Sequence, residues 1–450
     1  PMTQLLDNPI EALSRYVEHP SVSADSSFAD GVQGAREFAC ERLLELGFSI
    51  DLVETPINPI ILATRGDPTW PKLVIYGHYD VQPPDPLDLW TSDPFKAVER
   101  NGRLYGRGAA DNKGPQIVHM TALHRVLKKN PDLPLHITYL IEGEEEIASP
   151  KMPEFVSNNA DKLKCDMIFS ADGGQFSENE PNLAVGFKGI LGFDIEVIGP
   201  ETDKHSGLFG AAIANPIMAL TQLLSSMKNA DGEITIDGFY DEVVPLNDKD
   251  KEEIARVPFD ENQYLELTGS KGLDGEAGYT APERIGARPT LDLNVIGGGY
   301  QGVGTKTVLP SEAKAKITCR LVANQKPKEI LKKIENHVRR FLPNGVIGKV
   351  IPLQDEGDPL LIPEIHESTD IARDVLSNVY GREPYMIRVG GSIPILSAFY
   401  KYLGVHATMF AFQLDDENWH APNEFFRLSS FYKGQEAYRQ LFHKIGSLGS

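Results

Sequence analysis

The sequence predicts an α/β protein: an open sheet with helices around it, interrupted by an inserted α+β unit. Three observations predict this. Short apolar strands alternate with helix-spaced segments up to about Gly186, and the same rhythm resumes after about Pro363. Between them the texture changes to strands with clean alternation and long polar connections. The 450-residue chain also exceeds the size at which one core stops growing. The expected domains are therefore a first one built from 1–186 and 363–450, and an inserted one spanning 187–362.

The elements follow in order. Residues 8–19 and 31–47 have helical periodicity; in the second, Val32, Phe38, Leu43 and Leu46 share a face and Gly47 stops it. Strand patterns occupy Ser49–Val53 and Ile60–Thr64. Leu73–Tyr76 is a short apolar run before Gly77, as expected of a central strand whose C-terminal end points at a site. Helix spacing returns at 114–129, and strand patterns at Leu135–Ile141 and Met167–Ala171. Three strands thus deliver His78, the Glu145/Glu146 pair and Asp172 to the sheet edge where open α/β sheets bind ligands. In the inserted part, Ile190–Ile198, Thr290–Ile296 and Ala313–Leu321 read as strands. Ala212–Met227 and 326–342 read as amphipathic helices, and 232–288 as irregular except for a charged helix near 247–256.

Composition excludes several classes. Hydrophobic residues make up 41% and charged residues 24%, ordinary for a soluble protein. No apolar run approaches a membrane span. The N-terminal stretch is amphipathic and lacks a basic-then-apolar leader, so no signal peptide is expected. Cys40, Cys165 and Cys319 are too few and scattered for a disulfide framework, which points to the cytoplasm. A net charge of −20 argues against a nucleic-acid partner; runs such as Asp248–Glu253 read as solvated surface.

The chemistry lies in several separate places. His78 with Asp80 reads equally well as a core histidine bonded to a neighbour or as a metal ligand oriented by a carboxylate. Asp111, in GRGAADNKG, reads as a turn aspartate or as a carboxylate shared by two cations. Glu144, Glu145 and Glu146 follow an apolar strand, where burying so much charge without cations would be prohibitive. If that stretch is extended, adjacent side chains point apart, so one ligates and the next faces water; spacing leaves the register open by one. Asp172 and His420 complete a set of two imidazoles and three carboxylates that suits Zn²⁺, with Mn²⁺ also compatible. In the inserted part, His205 reads as a capping or surface residue, or as an electrophile for an oxyanion. Arg320, inside an apolar strand, reads as an exposed-face residue or a carboxylate anchor. The Gly390–Gly391–Ser392 loop reads as a plain turn or as a source of backbone N–H groups for substrate. Phosphate-loop, serine-elbow and HEXXH patterns are lacking.

Taken together, YGHYDVQP (76–83), WTSDPF (90–95), LYGRGAADNKG (104–114), EGEEEIAS (142–149), HSGLFGA (205–211), TVLP then CRLV (307–322), GGSIP (390–394) and HAPNE (420–424) run nearly end to end. The chain resembles the carnosinase and cytosolic non-specific dipeptidase group of di-zinc exopeptidases. Aminoacylase, carboxypeptidase G and succinyl-diaminopimelate desuccinylase are more distant relatives. The resemblance implies a mixed-sheet catalytic domain with helices on both faces and an inserted lid that forms a homodimer. It implies His78, Asp111, Glu146, Asp172 and His420 as ligands of two metal ions, with Asp111 bridging. It further implies Glu145 as general base, Asp80 as the clamp on His78, and His205 reaching the partner subunit's active site. Arg320, Gly391, Ser392 and Thr307 would hold substrate. Ala148 departs from the pattern, standing where many relatives have Gly; Pro150 and the Gly-Gly after Asp172 also depart.

The expected activity is hydrolysis of dipeptides or short peptides. Water activated between two cations ~3.5–4 Å apart would lose its proton to Glu145. One rival is an N-acyl-amino-acid amidase or carboxypeptidase with the same centre. The other is a metal-binding scaffold without activity, which retention of Glu145 and all five ligands disfavours.

Overall fold

A computed structural model describes residues 4–449, so Pro1, Met2 and Thr3 of the N-terminal stretch lie outside it, as does Ser450. The chain forms two compact units. One comprises Pro1–Ala184, Pro363–Met386 and Pro394–Ser450; the other comprises Val185–Ile362 and Ile387–Ile393. Ile387–Ile393, read from sequence as part of the first domain, goes with the second. The reason is local bonding: Gly391 O accepts from Lys188 N at 3.1 Å, and Ser392 Oγ accepts from Arg320 at 2.9 Å.

The first unit is built on a six-stranded mixed sheet. Its spatial order is Ser49–Val53, Ile60–Arg65, His136–Glu142, Lys72–His78, Met167–Ser170, Ala407–Met409. The first two pairings are antiparallel and the other three parallel. The central strands are nearly continuous apolar runs because both faces are covered: Leu73 to Tyr76 and Ile137 to Ile141 are all buried. Helix Lys113–Lys129 is buried nearly all round its first three turns, so its polar groups need internal partners. Thr121 Oγ bonds to Ile117 O at 2.6 Å, and His119 Nδ1 lies 3.0 Å from the Tyr139 hydroxyl. This helix packs on the C-terminal helix Leu428–Gly446. Gly434 permits the approach, since a Cβ there would sit 2.8 Å from Val118 Cγ1.

The second unit has a four-stranded antiparallel sheet in the order Thr290–Gly298, Glu312–Leu321, Gly189–Ile198, Ile347–Gly357. Alternation sorts its residues. Ala313, Ala315, Ile317, Cys319 and Leu321 face inward against helices Pro216–Ser225 and Pro327–Phe341. Lys314 and Lys316 face outward and pair with Glu196 and Asp194, each at 3.1 Å. Helix Pro216–Ser225 starts later than the predicted Ala212, because Asn215 caps Ile217 N at 2.9 Å and Pro216 takes the first helical position. The 232–288 stretch holds helices Asp248–Arg256, Glu261–Thr268 and Ala281–Ala287 rather than one. The last two are set by Asp260 capping Gln263 N at 2.9 Å and by a Thr280/Glu283 capping box, not by an apolar stripe. No helix among the described residues is long and apolar enough to cross a membrane.

Candidate metal centre

The strand order assembles the site. Lys72–His78 lies between His136–Glu142 and Met167–Ser170, so His78 ends its strand beside both acidic C-terminal edges. Asp111 sits in the turn leading into helix Lys113–Lys129. Asp172 lies just past Met167–Ser170. His420 sits in the loop before strand Phe425–Arg427, with a left-handed φ of 58°.

These side chains converge. His78 Nε2 lies 3.1 Å from Asp111 Oδ1, 3.6 Å from Asp172 Oδ2 and 3.7 Å from Glu145 Oε2. His420 Nε2 lies 3.0 Å from Asp111 Oδ2 and 3.2 Å from Glu146 Oε2. Three donor groups can each surround a cation: His78–Asp111–Asp172, Asp111–Glu146–His420 and His78–Glu145–Glu146. The first two share Asp111, one oxygen toward each imidazole. The extended-strand expectation for the glutamates is corrected here. Glu145–Ile147 is a 3₁₀ turn, and both Glu145 and Glu146 face the cluster. Glu144 points elsewhere, its Oε2 accepting from Thr55 Oγ at 3.3 Å.

Supporting groups fix the geometry. His78 Nδ1 lies 3.0 Å from Asp80 O and 3.2 Å from Asp80 Oδ1. Asp80 also accepts from Glu145 N at 3.2 Å, Glu146 N at 3.0 Å and Ser23 Oγ at 2.6 Å, so one buried carboxylate positions three candidate site residues. Sequence reasoning missed several groups. Asn112 accepts from His78 N at 3.3 Å and donates to Ala171 O at 3.0 Å, spanning two strand ends. Gln82 donates to Glu146 Oε2 at 2.9 Å, and Gln116 donates to His78 O. Glu142 is buried against Tyr76 and Ser149. Their only sequence signal is a polar residue inside an apolar or Gly-rich segment.

The electrostatics call for positive charge. Burial and neighbouring carboxylates push Glu145, Glu146 and Asp172 up to about 7. Hydrogen bonds to the Asp111 and Glu146 carboxylates raise His420 to about 10. Burial alone would lower His78, but Glu145, Asp111, Asp80 and Asp172 drive it well above its usual range. Glu146 Oε1 is buried without a partner. An unpaired buried carboxylate oxygen, two imidazoles and three crowded acids fit divalent cations with N/O preference.

In the second unit, His205 pairs in register with Val308 and is exposed. Its Nδ1 accepts from Gly207 N at 3.0 Å and Leu208 N at 3.2 Å, which places the proton of the neutral ring on Nε2. Thr307 O accepts from Ser206 N at 3.0 Å. Arg320 donates to Ser392 Oγ at 2.9 Å, so the candidate carboxylate anchor and the Gly391–Ser392 loop are neighbours.

Fold and site together define a metal-dependent peptide hydrolase. The chain belongs to peptidase family M20/M25/M40, whose profile matches residues 74–444. It is 31% identical to human Beta-Ala-His dipeptidase over 87% of this chain and 78% of that protein. It is 29% identical to the Schizosaccharomyces pombe Cys-Gly metallodipeptidase dug1, over 98% of this chain and 96% of that one. Among solved structures, the M20 metallo-carboxypeptidase Sso-CP2 from Sulfolobus solfataricus superposes with a TM-score of 0.81 at 29% identity, covering 98% of this chain and all 100% of that one.

Proposed function

We propose that this chain is a dipeptidase that works with two divalent cations, Zn²⁺ or Mn²⁺. The observation that carries the reading is Asp111: its two oxygens belong to two donor triads, His78–Asp111–Asp172 and Asp111–Glu146–His420. Cations held there supply Lewis acidity toward a water molecule and the scissile carbonyl. Glu145 is not needed in either triad, and its Oε2 faces the cluster. It takes the water proton at that carboxylate and returns it to the leaving amine. Asp80 holds the His78 tautomer by accepting at Nδ1. The Nε2–H of His205, supplied by the partner subunit's His205 in a homodimer formed through the second unit, donates to the carbonyl oxygen as negative charge grows. Arg320 and Ser392, with the Gly391 backbone and Thr307, hold the terminal carboxylate and limit substrates to short peptides. The three free cysteines support residence in the cytosol.

The likeness to Sso-CP2 favours a second reading, a carboxypeptidase that accepts blocked N-termini. Metal-stripped protein reloaded with Zn²⁺ or Mn²⁺ and offered free dipeptides beside N-acylated ones separates the two. Faster cleavage of free dipeptides is expected. Faster cleavage of the blocked series would replace the dipeptidase reading, and no metal-dependent cleavage of either would end both.

A further inference from the structure

Glu424 has no role in the reading above, yet its carboxylate is among the best-bonded buried groups of the first unit. It is 1% exposed. Its Oε2 accepts three backbone N–H groups of the same loop: Gly108 at 3.0 Å, Ala110 at 2.9 Å and Asp111 at 3.2 Å. Its Oε1 accepts from Arg107 at 2.8 Å, and Arg107 is itself 1% exposed and anchored on Pro83 O at 3.1 Å. The backbone joins in, with Gly106 N donating to Glu424 O at 2.9 Å.

The location gives this bonding a purpose. Glu424 ends the loop that carries His420, whereas all its donors lie in the loop that carries Asp111. The two loops are separated by over 300 positions in sequence, the Asp111 N to Glu424 contact spanning 313. Asp111 itself bonds across the same gap, its Oδ2 lying 3.0 Å from His420 Nε2. A backbone N–H fixed by a buried carboxylate cannot drift, and a side chain rooted on that residue inherits the constraint. Within the short Gly-rich turn, three of the four amides from 108 to 111 converge on that one oxygen, and the fourth, Ala109 N, donates back to Gly106 O at 3.1 Å.

We propose that Glu424 is a positioning residue for the metal centre, fastening the Asp111 loop to the His420 loop and so setting the spacing of two ligand side chains. This rests on the metal reading above. It extends that reading by naming a group that touches no cation yet governs how tightly cations are held.

The test uses the full chain, stripped by chelator and titrated with Zn²⁺ alone and Mn²⁺ alone against a colorimetric competitor. Melting temperatures are read with and without metal. Glu424→Gln keeps the shape but presents an amide where three N–H donors converge. It is expected to bind metal about 10- to 100-fold more weakly, the range for outer-shell partners, with a smaller metal-induced rise in melting temperature. Arg107→Lys keeps the charge but cannot bond Glu424 Oε1 and Pro83 O from two fixed nitrogens, and is expected to shift both readouts the same way by less. A merely structural role would lower the melting temperature with and without metal equally and leave affinity unchanged; that result overturns the proposal. If Glu424→Gln does not fold by circular dichroism, unchanged affinity in Arg107→Lys overturns it instead. Wild-type protein that binds neither ion would sink the metal reading as well, whereas tight wild-type binding with an unaffected variant sinks only the role of Glu424.

Discussion

Both units bury an apolar core, but the first also buries a cluster of imidazoles and carboxylates. In the second, the sheet turns Phe193, Ile195, Ile317 and Cys319 inward against two helices and leaves Lys314 and Lys316 outside with their acidic partners. In the first, the sheet's C-terminal edge gathers His78, Asp80 and Asp111 out of water beside the half-buried Asp172, and Glu424 holds the Asp111 backbone. Apolar burial is self-sufficient, at roughly 25 cal/mol per Å² removed from water. Packed carboxylates repel one another and depend on cations for compensation. The second unit is therefore expected to be held by apolar packing and surface ion pairs, and the first to gain further stability when its candidate site is filled by metal.

The largest expected effect tests the catalytic side of that contrast. Glu145→Ala should lower turnover by about 10²- to 10⁴-fold, the usual contribution of a general base, while metal content by atomic emission stays at the wild-type level. Loss of metal together with activity would make Glu145 a ligand instead. Next comes the scaffold. Phe193→Ala, at a fully buried position, should cost about 3–5 kcal/mol in urea unfolding. The stabilisation gained on adding metal should persist in that variant; its disappearance would mean that the two units do not carry separate kinds of stability.

Metal removal should be smaller but selective. Stabilisation of about 2.7 kcal/mol accompanies a free metal concentration 100 times the dissociation constant, so chelation should lower the melting temperature measurably. Substituting Arg320 by Ala should raise KM about 10-fold and change kcat little, because carboxylate anchoring is shared by ground and transition states. A drop confined to kcat would reassign that residue. The smallest effect lies beside the site. Ala148 has a left-handed φ of 75° directly after the Glu145–Ile147 turn. Ala148→Gly should stabilise the protein by about 0.5–1 kcal/mol in the same unfolding measurement; no change would mean the turn carries no strain there.

Much of this was legible in the sequence, for identifiable reasons. Strand Lys72–His78 announces itself through its apolar run, and the glutamates through the improbability of burying them unpaired. Motifs at the strand ends brought His78, Asp111, Glu145, Glu146, Asp172 and His420 into one hypothesis. What stayed hidden depends on contacts that leave no local pattern. Glu424, Gln116 and Asn112 bond to backbone atoms brought close only by the fold, and a carboxylate that grips three amides looks in sequence like any loop glutamate. The helices Glu261–Thr268 and Ala281–Ala287 escaped because caps, not periodicity, define them. The glutamate turn was misjudged as extended because adjacent side chains converge only in a tight helical turn.

The contrast between the units reduces to whether Asp111 is the shared hinge of a two-cation centre. Metal content of exhaustively dialysed wild type and Asp111→Asn, measured by inductively coupled plasma mass spectrometry, addresses this directly. We predict close to two divalent ions per wild-type chain and a loss of both in the variant. Full retention by Asp111→Asn, or a wild-type chain without bound metal, would contradict it.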